Sequence, residues 1–145
     1  MPAGNPIPTR ALLLCEDLGG RLTAQRAGEA LAAGLREGGA PAPEICAVAG
    51  PDGPELLEQL GFEERMRAAR ALILLVAVLE EQTLAGSLAF EAATRARQAG
   101  VPCYAVTAVN RLNAFDLRIL DLQVVLEAST GRALRVAGRR LAAIV

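Results

Sequence analysis

The stretch Ala71-Leu-Ile-Leu-Leu-Val-Ala-Val78 is the most apolar strand-like segment in this chain of 145 residues. A short, continuous apolar run is typical of a β-strand that is covered on both faces, as in a parallel sheet. Even extended to Leu79, the run is about half as long as a membrane-spanning helix must be. We therefore predict a buried central strand and no association with a membrane.

Strand-like and helix-like segments alternate on both sides of this run. The further predicted strands are 11–15, 44–48, 103–106 and 123–126, and the predicted helical segments are 24–37 with Thr23 as N-cap, 55–69 interrupted at Gly61, 83–98 and 132–144. Strands separated by helices imply right-handed crossovers and a parallel sheet. The predicted fold class is a three-layer α/β sandwich with a five-stranded parallel sheet, Rossmann-like or flavodoxin-like. It forms one domain over residues 10–145, preceded by a flexible arm at 1–9.

The composition excludes several kinds of chemistry. All 15 basic residues are arginines, and the chain contains neither lysine nor histidine. Schiff-base catalysis, a phosphate-loop lysine, a Ser-His or Cys-His pair and imidazole ligation of zinc each need one of the missing residues. The net charge of −1 also argues against nonspecific binding to nucleic acid, which needs clustered cations.

The three cysteines, Cys15, Cys46 and Cys103, form no C-x-x-C pair. An odd number of separated cysteines indicates neither a disulfide framework nor a compact thiolate metal site. All three lie in or beside predicted buried strands, where a thiol is expected to be inert. We therefore expect a cytoplasmic protein.

Acidic residues follow two strands that are neighbours if the strand order is 2-1-3-4-5. Asp17 follows Glu16 after the first strand, and Glu80 precedes Glu81 after the third. Carboxylates that meet at one crevice could hold Mg²⁺, which makes Asp17 and Glu80 candidate metal ligands. The alternative is that the glutamates complement a helix N-terminus and that Glu16 and Asp17 are solvated loop residues.

An anion site is a second hypothesis for the same crevice, since ligands of such sheets bind at the carboxyl ends of the strands. The backbone amides after Thr83 could receive an anion, and Arg21 could reach it. Ordinary capping explains Thr83 equally well, and a long polar loop after the fourth strand supplies donors without any ligand. The candidate ligand-binding residues are Asp17, Arg21, Thr83, Leu84, Gly86, Ser87, Thr107 and Asn110.

Arg132, Arg135 and Arg139 form a basic stripe on the last predicted helix. Their i, i+3 and i+7 spacing places them on one face. We interpret this stripe as a solvated face near the negative end of the helix, with a site for an acidic partner as the alternative.

Two stretches resemble bacterial glycerate kinases of the two-domain, ATP-dependent type. The first is Cys15-Glu-Asp-Leu-Gly-Gly-Arg-Leu-Thr-Ala24, followed by a helix that ends Gly34-Leu-Arg36. The second is Ala71 to Ser87, which contains Gln82-Thr-Leu-Ala-Gly86 and is followed by an alanine-rich helix and Gly100-Val-Pro-Cys103. The resemblance covers 10–145 and implies that the chain matches the first α/β domain of that family, without the second domain.

The chain departs from the family where its chemistry lies. The loop lysine is replaced near Gly19, a Gly-Glu-Gly segment becomes Leu75-Val-Ala77, and the lysine after the Thr-x-x-Gly pattern becomes Ser87. We therefore expect a binding or assembly module without kinase activity, which takes a small anionic ligand. The alternative is a retained Mg²⁺- and ATP-dependent phosphotransferase, completed at an oligomer interface. A homodimer is expected, because 123–126 is predicted to be an edge strand with few charges.

Overall fold

The computed structural model describes residues 7–19, 22–48, 54–81 and 86–145. Its strands are β1 (Leu12–Cys15), β2 (Glu44–Ala47), β3 (Leu72–Leu79), β4 (Cys103–Asn110) and β5 (Leu122–Glu127). Its helices are α1 (Ala24–Glu37), α2 (Pro54–Gln59), α3 (Phe62–Arg67), α4 (Leu88–Ala99), α5 (Ala114–Ile119) and α6 (Gly131–Ala142). Within these ranges, no helix has both the length and the apolar character needed to cross a membrane.

The five strands form one parallel sheet in the order β2-β1-β3-β4-β5. Leu13 of β1 pairs with Ile73 of β3, and Ile73 pairs with Tyr104 of β4. The predicted fold class, the central position of these three strands and the edge position of β5 are confirmed. The arm predicted at 1–9 lies mostly outside the described residues.

Side chains of the central strands alternate between two apolar layers, as a pleated sheet requires. Leu13 and Ile73 pack with α1 and α6 through Leu31 and Leu134. The other face carries Leu12, Leu14, Leu72 and Leu74, which pack with α2, α3 and α4. Helices therefore cover both faces of the sheet, which explains why the first five residues of β3 are all apolar and buried.

Two helix boundaries test the capping predictions. The side chain of Thr23 accepts a hydrogen bond from the amide of Arg26, so Thr23 is the N-cap of α1 as predicted. The long helix predicted over 83–98 is wrong as a continuous element, because Gly86 and Ser87 are not helical and α4 begins at Leu88 with Ser87 as its N-cap; Thr83 itself lies outside the described residues. Gly86 has a φ of 76°, a left-handed conformation that interrupts helical geometry just before this cap.

Strand β4 is longer than predicted and continues through Thr107 to Asn110. Its extra residues have a partner because β3 also runs on, and Val78 pairs with Val109. The following connection contains α5, which begins with a reciprocal capping box between Asn113 and Asp116.

Helices α1 and α6 touch through their backbones. A Cβ atom on Gly34 would overlap the carbonyl oxygen of Arg135, and one on Gly138 would overlap the carbonyl oxygen of Leu31. Only glycine permits this approach at either position. The close contact fixes the relative position of the two helices, and therefore of the side chains that project from them.

Candidate functional site

A small cleft lies at the carboxyl ends of β1 and β3, where the sequence predicted a ligand site. It encloses about 170 Å³ and is lined by Glu16, Val76, Val78, Leu79, Glu80, Ser87 and Ala89. Burial raises the pKa of Glu16 above its ordinary value. Among the residues that the structure describes, the lining includes two carboxylates and no cation, which is unfavourable to an anion.

The two candidate metal ligands have partners in the protein. Asp17 Oδ1 accepts a hydrogen bond of 2.7 Å from the amide of Ala24, so its carboxylate caps α1. Glu80 forms an ion pair of 3.2 Å with Arg111. No group of three or more potential metal ligands occurs in the described ranges. Among the described residues, Asp17 and Glu80 therefore do not supply the several converging oxygens of a dedicated Mg²⁺ site.

Of the remaining candidate residues that the structure describes, only Ser87 lines the cleft. Thr107 is fully buried, and its hydroxyl donates to the carbonyl oxygen of Val109 at 3.1 Å. The side-chain oxygen of Asn110 accepts a hydrogen bond from the backbone amide of Leu112, and the backbone amide of Asn110 donates to the carboxylate of Glu127. Ser87 lines the cleft while its hydroxyl caps α4. Gly86 forms the turn before that cap, whereas Arg21, Thr83 and Leu84 lie outside the described residues.

A larger groove runs between α1 and α6, on the outer side of the sandwich. It has a volume of about 670 Å³ and is lined by Arg26, Glu29, Ala30, Ala33, Gly131, Arg132, Arg135 and Arg139. All of the α1 residues in this set precede Gly34, where the two helices touch. The half-buried small residues Ala30, Ala33 and Gly131 form the floor of the groove. The exposed side chains on its rim are the four arginines and one carboxylate, Glu29.

The layer formed by α1 and α6 differs in charge from the rest of the chain. Helix α6 contains four arginines and no acidic residue, whereas each of the other described helices contains at least one acidic residue. Together α1 and α6 carry six arginines and two glutamates, in a chain whose net charge is −1. The α1–α6 layer is thus strongly positive within a slightly negative protein.

Glu37 of α1 neutralises one part of this layer. Its carboxylate accepts hydrogen bonds from Arg135 through Oε1 and from Arg139 through Oε2, the second at 2.7 Å. These hydrogen bonds hold the pKa of Glu37 below its ordinary value. All three arginines of the stripe are exposed, as predicted for a solvated face, although Arg135 and Arg139 are ion-paired with Glu37. The predicted position near the negative end of the helix is wrong for Arg132, which lies in the first turn of α6, at the positive end.

The thiols are positioned as the sequence predicted. Cys15, Cys46 and Cys103 are free and buried. Burial raises the pKa of Cys15 and of Cys103 to about 12 and raises that of Cys46 as well. Thiolates, the reactive form, are therefore scarce at neutral pH.

The sequence indicated the basic stripe on α6, but it did not indicate that Arg26 of α1 lines the same groove. Nothing in the local pattern shows that α1 lies beside a helix that begins about a hundred residues later. A scan against protein-family models and a search of curated proteins each found no match to the chain.

Proposed function

We propose that this protein is an anion-binding module without kinase activity, and that the anion binds in the groove between α1 and α6. The observation that carries the proposal is the set of four arginines on the rim of one groove, Arg26, Arg132, Arg135 and Arg139. Guanidinium groups bind carboxylates and phosphates through paired hydrogen bonds, and they stay charged at every physiological pH.

The groove supports this function better than the cleft at the strand ends does. Its volume of about 670 Å³ matches the size of small-molecule sites in proteins. The cleft is smaller, and its described lining supplies Glu16 and Glu80 but no cation. The described lining of the groove is therefore more favourable to an anion than that of the cleft.

The absence of kinase activity is proposed from the chemistry of the chain. Phosphoryl transfer relies on cations that stabilise charge on the transferred group. The chain has no lysine, and Asp17 is engaged as a helix cap. The alternative, a retained Mg²⁺-dependent phosphotransferase, would have to use Asp17 while its Oδ1 accepts the hydrogen bond from Ala24. We also propose that the protein is cytoplasmic, because its three unpaired thiols suit a reducing compartment.

The test is a titration with inorganic pyrophosphate, monitored by thermal unfolding at constant ionic strength. A ligand that binds only the folded state raises the unfolding temperature by mass action. The groove variant replaces Arg132, Arg135 and Arg139 by Gln. The control replaces Arg36, Arg95 and Arg118 by Gln, which removes the same charge away from the groove.

We expect pyrophosphate to stabilise the wild type and the control, and to leave the groove variant at the temperature seen with an equivalent concentration of sodium chloride. Equal stabilisation of both variants would contradict the proposal, as would a wild type that responds no more to pyrophosphate than to chloride.

A second candidate function, assembly as a homodimer, is favoured by the surface beside the edge strand β5. Phe115 and Ile119 of α5 are 65% and 48% exposed, and they lie one helical turn apart just before β5 begins. An exposed aromatic and an aliphatic residue beside an unpaired strand edge are features of protein interfaces. We propose that two copies pair along β5, with the two α5 helices on the same side of the joined sheet.

A further inference from the structure

The four arginines of the groove are not equivalent. Arg135 and Arg139 share the carboxylate of Glu37, whereas the described residues provide no ion-pair partner for Arg26 or Arg132. Arg26 projects from the first turn of α1, and Arg132 from the first turn of α6. The groove therefore has one half that is already neutralised and one half with two exposed cations on facing helices.

We propose that the exposed half binds a phosphate monoester, with Arg26 and Arg132 holding its phosphate from opposite sides. This inference rests on the proposed function and names the ligand class and the residues that select it. The organic part of the ligand lies along the floor made by Ala30, Ala33 and Gly131.

The preference for phosphate follows from the number of acceptor atoms. Glu37 shows how a carboxylate is held in this groove, with one oxygen for each of two arginines on the same helix. A phosphate monoester has three terminal oxygens in a tetrahedral array and a charge near −2 at pH 7.5. It therefore accepts a guanidinium fork from each of two helices, which a planar carboxylate cannot do with full geometry.

The position of both arginines supports the same conclusion. A cation in the first turn of a helix is disfavoured, because the backbone dipole makes that end positive. In α6 the unfavourable position of Arg132 is not offset by any acidic residue of the helix. A bound dianion would relieve the repulsion between Arg132 and the helix end, and would add to the affinity of the side chains.

A substitution of Glu29 should change the affinity in the opposite direction to the arginine substitutions. Its carboxylate lines the groove and accepts a hydrogen bond from Gln25 at 3.0 Å. Glu29→Gln keeps the shape of the side chain and removes a negative charge beside the phosphate. This variant should bind more tightly, whereas a variant that merely damages the fold would bind more weakly.

The experiment measures the dissociation constants of glycerol 3-phosphate, inorganic phosphate and acetate by isothermal titration at constant ionic strength. We expect Arg26→Gln and Arg132→Gln each to weaken glycerol 3-phosphate about tenfold, the loss typical of a charge-assisted hydrogen bond. Glu29→Gln should strengthen it, and Arg36→Gln should leave it unchanged. Acetate should bind far more weakly, and inorganic phosphate should bind less tightly than the ester.

Amide chemical shifts locate the site independently of affinity. Titration with glycerol 3-phosphate should move the amide resonances in the first turns of α1 and α6. The inference is overturned if these resonances do not move, if acetate binds as tightly as the ester, or if Arg26→Gln and Arg132→Gln leave the ester's affinity unchanged. Binding that instead depends on Arg135 and Arg139 would overturn the inference and leave the proposed function standing; no binding of any anion would overturn both.

Discussion

Gly34 of α1 lies directly against the carbonyl oxygen of Arg135 of α6, with no room for a side chain between the two helices. Gly34→Ala should therefore destabilise the fold by about 3 kcal/mol, at the upper end of the usual cost of overpacking, because the obstacle is backbone and cannot rotate away. Chemical denaturation measures this loss.

The matched control for this variant is Gly131→Ala. Gly131 is also a helical glycine, but a Cβ atom there meets nothing within 4 Å. Because alanine favours a helix over glycine, Gly131→Ala should be neutral or stabilising by up to about 1 kcal/mol. Equal effects of the two substitutions would show that the close contact of α1 and α6 is not formed.

The Glu37 cluster predicts a pH dependence in the acid range. The pKa of Glu37 is lowered in the folded protein by its hydrogen bonds to Arg135 and Arg139. Its contribution to stability is present above the unfolded-state pKa and is lost as the pH falls through the folded-state pKa. Carbon-detected NMR titration of the carboxylate should give a pKa below the ordinary glutamate value. In the Arg135→Gln, Arg139→Gln double variant the pKa should return towards that value; a wild-type pKa that is already ordinary would show that the cluster is not populated.

The buried thiols predict the opposite dependence at alkaline pH. The pKa of Cys15 and of Cys103 is raised to about 12, so both remain protonated in the folded protein while the unfolded chain ionises near pH 9. Their contribution is complete below pH 9 and declines as the pH rises towards 12. At pH 8 the native protein should react with a thiol reagent only after denaturant is added. Gln98→Cys, at an exposed position, should react at once and serves as the control.

The dimer proposal predicts that Phe115→Asp yields a monomer. A charge at this exposed position should prevent α5 from packing against its copy, with little effect on folding. Sedimentation equilibrium at high micromolar concentration measures the change. Ile7→Asp, at a position that is 85% exposed beside α3 and away from β5, should leave the dimer intact. A wild type that sediments as a monomer would refute the proposal.

The purified protein should not phosphorylate D-glycerate with MgATP. Loss of the cations that stabilise the transferred group costs orders of magnitude in rate, and no lysine is present to supply them. An assay coupled to ADP release measures turnover. Turnover at ordinary kinase rates that is abolished by Glu80→Gln would show that an active site is formed after all.

The sheet could be predicted because each central strand carries its own signal. Runs such as Ala71 to Val78 are apolar on both faces, and only a strand covered by two helix layers makes that pattern favourable. The beginning of α4 was predicted incorrectly because Thr83 and Ser87, four positions apart, are both residue types that favour an N-cap. The left-handed conformation of Gly86, just before the cap Ser87, belongs to a turn that the local sequence pattern does not show.

The candidate site was less accessible to sequence reasoning for a physical reason. Residues such as Thr107 and Asn110 were predicted in a loop, yet extended pairing with β3 brought them into β4, where their polar groups bond within the protein. The groove needs two helices that are far apart in the chain. The local pattern of α6, with four arginines and no acidic residue, indicates a positive charge but does not indicate that α1 lies beside it.

The contact between α1 and α6 also sets an order of events during synthesis. Glu37 and Arg139 are 102 positions apart, so α1 leaves the ribosome long before its neighbour exists. Until α6 emerges, the face of the sheet that carries Leu13 and Ile73 is only half covered, and the glycine surface of α1 faces water. A nascent chain halted before Gly131 would therefore be a substrate for chaperones, because α6 supplies the apolar side chains that complete the cover of this face.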